Sequence, residues 1–573
     1  MLSFTAPLLF ASCGDFLEIK STSEIVLEDF WNEKADVDNI VAGCYSRMQS
    51  DDVIRRMIVW GEARAENVTT GSNIDRDQNL ENVLRENITT KNAYTTWDGF
   101  YAVINRCNTV IKYAPGVAER DPGYTQSELQ ATIAEVSGLR DLCYFYLIRT
   151  FRNVPFSFTA YTDDDQIMDL APTSFENVLD SLINDLEKVK GQAIRRYPTT
   201  KPMYQTGRIT QDAIYAMLCE MYLWKQDYQN CIKYADLVIQ SKKDLQKEQR
   251  TISIGISQSA DEARLNGFPL VTDAITSSTY GNAYKDVFVD GNSLETIFEL
   301  VFDNQEAGRS MPNNSAVSVL YGNANTTKGF LGASDAVVSD IGKTSQRTIY
   351  ADRNKKLDAR MYECLDPEAS TITKYVYGTI RVNASSKDPV TTYSSKFSDG
   401  FNSCNWIIYR LSDIMLLKAE ALCQLMSEGS EKEIIDANAP LLAQAFTLVN
   451  AVNKRSLCQY PLVDTLLASA YSTKDQMQTL VLQERQRELM FEGKRWYDLV
   501  RQCMRTNTTD AVTQAAGRRE AVNGQYVQNF FGSQATGMYA IFWPYNEEET
   551  KVNLNLAAAQ NPAFSSGEGN ISK

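Results

Sequence analysis

The 573-residue chain contains no histidine. That absence removes Ser-His-Asp and Cys-His catalysis, His-ligated zinc and the facial iron triad together. Cysteine occurs at eleven positions, yet no two have the spacing of a CxxC pair or of metal ligands. Cys107, Cys143, Cys219 and Cys423 sit in apolar helical stretches, where a free thiol serves as a small core residue. There is no Gly-rich phosphate loop, serine nucleophile elbow or zinc motif, so neither a cofactor nor a metal is expected. Positive charge is in deficit: 57 Lys and Arg against 72 Asp and Glu leave a net charge of −15. This balance argues against nucleic acid or an anionic membrane surface as the main partner. Beyond the first residues no run is long and apolar enough to span a bilayer.

What is present is apolar periodicity and ring surface, with 43% hydrophobic residues and 29 tyrosines, ample for a large core. Apolar residues at helical spacing predict helices over Trp97–Ile111, Ser127–Phe151, Thr173–Lys190, Gln211–Trp224 and Tyr228–Ile239. The pattern resumes at Ile407–Leu425, Leu441–Ser456 and Leu480–Arg505. From Ala213 the small-residue and tyrosine spacing is that of a tetratricopeptide-type helix pair, in a degenerate array. Between Ser241 and Asn405 Gly, Ser, Asn and Thr cluster around strand-like pieces such as Thr296–Phe302 and Tyr375–Tyr377. A loop-rich span of that length within a compact protein is usually functional. The tail carries Trp543 and reads as irregular and wrapped on the surface.

Leu480–Arg505 is the most informative stretch. Glu484, Glu488 and Glu492 stand four apart, stacking three like charges at a cost of a few tenths of a kcal/mol per pair on an isolated helix. Such a row makes sense only with cations or unpaired backbone amides close by. Gly493 inside a helix costs about 1 kcal/mol against Ala unless another backbone approaches closely. Two readings of the glutamates are open, a general acid–base pair for glycoside hydrolysis and a buried ion-pair network that fastens helices together, which we favour.

The segment ERQRELMFEGKRWYDLVR resembles the C-terminal signature of the SusD/RagB family, surface nutrient-binding lipoproteins of Bacteroidota. Glu484, Arg485, Glu488, Leu489, Glu492, Gly493, Arg495, Trp496, Asp498, Leu499 and Arg501 match it, and in the family these positions are structural. WDGFYAVINRCN, GRITQDAIYAMLCEMYLW, YRLSDIMLLKAEAL and LVNAVNKRS extend the likeness over most of the chain. The resemblance implies an all-α dominated fold, a tetratricopeptide-like α-α superhelix of about four helix pairs with a large irregular mixed α/β insertion. The pairs would be Trp97–Ile111 with Ser127–Phe151, and Thr173–Lys190 with Gln211–Trp224. Tyr228–Ile239 would pair with Ile407–Leu425 across the insertion, and Leu441–Ser456 with the signature helix. Residues 1–12 then read as a signal-peptide remnant, 13–240 as the N-terminal helical region, 241–405 as the insertion and 406–573 as the C-terminal helices and tail.

A short apolar run ending Ala-Ser before Cys13 reads as a lipoprotein signal, with Cys13 lipidated. The chain would thus be anchored to the outer membrane, facing the exterior. The resemblance further implies a binding protein, not an enzyme, that delivers a glycan or peptide to a SusC-like TonB-dependent transporter. A glycoside hydrolase and a protein-interaction scaffold remain alternatives. Capture of a glycan or peptide needs rings to stack on and amide or charged groups to hydrogen-bond. That mixture occurs at Asn73, Arg76, Tyr94, Trp97, Tyr280, Tyr284, Tyr321 and Asn323, which are the candidate ligand-binding residues. Asp75, Asp77, Asn79 and Glu86 imitate a calcium loop, but Leu80 stands where that loop needs glycine, so a solvated polar loop is expected there.

Overall fold

A computed structural model describes residues 30–163, 165–198, 200–252, 265–273, 279–302, 315–322, 329–338, 358–366, 369–382, 389–394, 404–429, 431–457, 466–519 and 524–564. Cys13 and Asn323 lie outside the described residues.

The framework is a stack of helices: α1 (Lys34–Met48), α2 (Asp51–Ile58), α3 (Asp98–Arg120), α4 (Gln126–Phe151), α5 (Phe175–Val189), α6 (Gln211–Trp224), α7 (Tyr228–Ile252), α8 (Leu411–Gln424), α9 (Lys432–Arg455), α10 (Lys474–Leu489) and α11 (Arg495–Thr506). The four predicted pairings are present: α3 packs on α4, α5 on α6, α7 on α8 and α9 on α10. Contacts of α4 with α5, α6 with α7 and α8 with α9 join the pairs into one continuous array. Helix α1, for which no helix was predicted, packs on α3.

Local chemistry sets the helix starts. Thr125 and Glu128 form a capping box at α4, Thr473 and Gln476 form one at α10, and Ser174 and Thr210 cap α5 and α6. From Ala134 to Phe151 every residue of α4 is buried, so its charges must find partners inside. Arg149 reaches Glu220 at 2.7 Å, and Arg140 reaches Asp185 at 2.5 Å.

Four sequence expectations need correction. The signature stretch is not one helix: α10 stops at Leu489 and α11 starts at Arg495. Phe491 (φ 68°) and Gly493 (φ 66°) turn the chain between them. The Glu62 carboxylate accepts the N–H groups of Phe491 and Gly493, both at 3.1 Å, and so supplies what a helix would have given them. Second, Trp406–Arg410 is a strand paired antiparallel with Thr296–Leu300, and helix begins only at Leu411. Third, α7 runs on to Ile252, beyond the boundary expected at residue 240. Fourth, part of the tail is core: Ala540–Tyr545 are buried, and the Trp543 N–H donates to the Thr150 carbonyl at 2.8 Å.

Candidate functional site

The glutamate row lies at the meeting point of helices, sheet and insertion. Glu484 and Glu488 project from α10 and Glu492 from the turn after it, and all three are buried. Arg360, from the insertion, meets Glu484 at 2.9 Å, Glu488 at 3.1 Å and Asp358 at 2.8 Å. Arg410, at the end of its strand, meets Glu488 at 2.5 Å and Glu492 at 2.7 Å. Arg455 closes α9 onto Glu488 and, at 2.7 Å, onto Glu295. Lys374 meets Glu492 at 2.6 Å and also donates to the Glu488 and Met490 carbonyls. Arg487 pairs with Glu484 at 2.9 Å.

Burial alone would raise the Glu488 carboxyl, but Arg455, Arg410 and Arg360 outweigh it and hold it well below the usual range. Glu492 is lowered in the same way, against burial, by Arg410 and Lys374. Glycoside hydrolysis needs one carboxyl kept protonated as general acid. Neither Glu488 nor Glu492 can be that group. The row fastens α9, α10, the strand pair and the insertion at one point.

Two of the candidate ligand rings, Tyr284 and Tyr321, support this knot, and the other described rings pack elsewhere in the interior. Tyr284 donates to Glu488 at 3.3 Å and stacks on Phe288. Tyr321 stacks on Tyr375 (5.7 Å, 6°) and donates to the Phe491 carbonyl at 3.1 Å. Tyr280 is buried on a strand paired with Tyr377–Val382. Trp97 is wedged among Tyr101, Phe151 and Tyr545. Tyr94 is buried, with its hydroxyl donating to Asp77 at 2.6 Å. These five rings are interior packing with no free face for a ligand, which corrects the expectation placed on them.

Asn73 and Arg76 are different. Arg76 is exposed and Asn73 half-buried, on a turn that continues the strand Val68–Thr70. That strand pairs with Leu331–Ala333, and the N–H groups of Gly71 and Asn73 donate to the carbonyls of Phe330 and Gly329. Insertion backbone thus holds this polar turn at the surface. The calcium-like spacing beside it has other uses. Asp77 caps the helix Gln78–Leu84, and Glu86 is buried between Arg64 and Arg519, at 2.8 and 2.6 Å. Among the described residues no group of three His, Cys, Asp or Glu side chains could hold a metal.

A cleft of about 390 Å3 lies elsewhere, between the start of α5, the ends of α6 and α11 and the segment 538–542. Phe175, Trp224 and Phe542 line it, with Arg152, Arg501 and Arg505 among the polar groups. Arg152 enters through a strained γ-turn after α4, with φ 69° and ψ −71°, closed by the Asn153 N–H on the Phe151 carbonyl. Its guanidinium lies over the rings of Tyr539 and Phe542. Sequence reading missed this cleft because its walls come from five distant segments. Only Arg501 and Arg505, four apart on α11, give a local hint.

A stacked helical array that presents an irregular insertion and a ring-lined cleft offers the broad and concave surfaces that binding uses. Two family models cover most of the chain: "Starch-binding associating with outer membrane" matches residues 15–223, and "SusD family" matches residues 294–564. The chain belongs to the SusD family. SusD-like protein P38 of Formosa agariphila is 26% identical over 518 residues, covering 86% of this chain and 88% of that protein. A SusD superfamily protein of Bacteroides vulgatus shares the fold with TM-score 0.61 at 17% identity, over 92% of this chain and 98% of that one. Surface glycan-binding protein A of Bacteroides thetaiotaomicron, solved in complex with laminarihexaose, does so with TM-score 0.58 at 18% identity, over 92% and 100%. Among the described residues no helix is long and apolar enough to cross a membrane.

Proposed function

We propose that this chain captures a glycan outside the outer membrane and passes it, uncleaved, to a SusC-like TonB-dependent transporter over which it sits as a lid. The observation that carries this reading is membership of the SusD family together with a fold neighbour solved in complex with laminarihexaose. The chain's own features support it. Arg76 offers a guanidinium group at the surface, on the backbone-clasped turn that also carries Asn73, suited to sugar hydroxyls. The held-down Glu488 and Glu492 carboxyls do not suit the protonated general acid that glycoside hydrolysis needs. Inward passage of the glycan would fall to that transporter, and a rigid helical array offers a broad docking surface for it. A stable interface of that kind should bury more than about 2,000 Å2.

Attachment through Cys13 is part of the proposal. Mass spectrometry of the membrane fraction should find an acylated N-terminal cysteine. From outer membranes solubilised in mild detergent, a C-terminal tag on this chain should recover a large barrel protein in near-equal amount. Recovery of the chain alone across several detergents, with ligand present, would reduce the reading to capture without delivery. A mature chain that is soluble and begins before Cys13 would remove the anchor.

A further inference from the structure

The cleft at the ends of α6 and α11 carries hydrogen-bonding capacity that the fold does not use. Trp224, 5% exposed, has no acceptor for its indole N–H. Arg501, 3% exposed, spends Nε and Nη2 on Glu420 and Asp498 but leaves Nη1 without an acceptor. Arg505 donates through Nη1 to Glu420, and its buried Nη2 is likewise unused. Three idle buried donors on residues lining one cleft are unusual, because buried N–H groups are nearly always paired. Each costs stability unless something enters to accept from it.

The charge pattern decides what that something is. Arg152, Lys225, Arg501 and Arg505 line the cleft, as do the carboxylates of Glu176 and Asp180. Lys225 pairs with Asp180 at 2.6 Å, while Glu420 and Asp498 meet the buried Arg501, and Glu420 the partly buried Arg505, from behind. Four cations are thus balanced in number by four carboxylates, with Asp498 shared between Arg501 and Arg485. Helices α4, α6 and α11 all end here, each bringing about half a negative charge on its terminal carbonyls, against about half a positive charge from the start of α5. That balance leaves little excess positive charge to select an anion. The cleft instead combines idle donors, carbonyl and amide acceptors (Gln226 and Asn507 are exposed at its rim) and an aromatic lining. Groups that both accept and donate, carried on an apolar ring face, satisfy that set. Those are the hydroxyls and the C–H face of a neutral sugar.

We propose that this cleft is a second saccharide site, separate from the Asn73–Arg76 turn, that takes one or two neutral sugar units. Its volume of about 390 Å3 lies at the small end of ligand pockets, which run from about 300 to 1,000 Å3. The inference rests on the glycan-capture reading and can fail without it. Trp224 lines the cleft, so its emission reports occupancy. The test is tryptophan fluorescence and calorimetry of the full chain with neutral oligosaccharides (laminarihexaose and maltohexaose) and an oligogalacturonide. Three proteins are compared: wild type, Trp224→Phe, which keeps a ring and removes the donor, and Arg152→Ala on the half-exposed γ-turn.

A neutral oligosaccharide should change the emission of wild type. That change should vanish in Trp224→Phe, and Arg152→Ala should weaken it about tenfold, the loss of one hydrogen bond to a charged donor. Asn73→Ala/Arg76→Ala should leave it intact. Binding that depends on Asn73 and Arg76 but is untouched by either cleft variant overturns the second site and spares glycan capture. Oligogalacturonide bound more tightly than both neutral sugars overturns the ligand class. If Arg152→Ala leaves sugar binding unchanged but releases the barrel partner, the cleft is a protein contact and the proposal falls. If no saccharide binds any form, both readings fall.

Discussion

Glu488→Ala is expected to destabilise the protein by about 3–5 kcal/mol, because it leaves Arg360, Arg410 and Arg455 buried around one missing carboxylate. Denaturant titration followed by circular dichroism reads this as a lower midpoint. The large cost does not mean that the ion cluster is worth that much in itself, since an apolar replacement of the whole cluster could be as stable. It means that one partner cannot be removed alone. Glu488→Gln keeps the shape and removes the charge, and gives a second readout. The native Glu488 carboxyl is held well below its unfolded value, so its stabilisation is present above the ordinary glutamate range and is lost as pH falls through the depressed one. The glutamine variant should therefore lose less stability on acidification than wild type. An unchanged midpoint together with loss of a hydrolytic activity would reverse the assignment of the row.

Gly61→Ala should be at least as damaging. A Cβ at Gly61 would stand 1.8 Å from the Gly493 carbonyl oxygen and 2.4 Å from its carbon. Both atoms are backbone, in a turn that Glu62 holds from beneath, so no side chain can step aside. The expected cost exceeds about 4 kcal/mol, the range reserved for strain that the fold cannot relax. Gly43→Ala is the control. Its Cβ would meet nothing nearer than Arg106 Nη1 at 4.0 Å, within α1, where alanine should add about 0.5–1 kcal/mol. Equal melting of Gly61→Ala and wild type would mean that the two backbones do not touch.

These two sites also mark how far the fold was legible in sequence. Three glutamates four apart demand cations, and a glycine in an apolar amphipathic run demands a close neighbour; both demands are met. The break between α10 and α11 was not legible, because apolar spacing continues through it and the Glu62 carboxylate that replaces the lost helical bonds lies more than 400 residues away in sequence. Trp406–Arg410 has five consecutive buried residues, and such a run carries no alternation to distinguish strand from helix. The ligand rings were misplaced for a related reason. A tyrosine destined for the core and one destined for a ligand look alike until the hydroxyl's partner is known. For Tyr284 and Tyr321 those partners, Glu488 and the Phe491 carbonyl, lie 204 and 170 residues away. The cleft was hardly legible, since Arg152, Trp224 and Arg501 share no local pattern and only the Arg501–Arg505 spacing hints at it.

Capture without cleavage is tested most directly by titrating the purified chain against a panel of polysaccharides and peptides, with products assayed in the same samples. At least one glycan should bind with no chain shortening after prolonged incubation. Asn73→Ala/Arg76→Ala should weaken binding at the surface turn about tenfold or more while leaving the helical circular dichroism unchanged. Release of shortened glycan, or binding to peptides and to no glycan, would contradict the assignment.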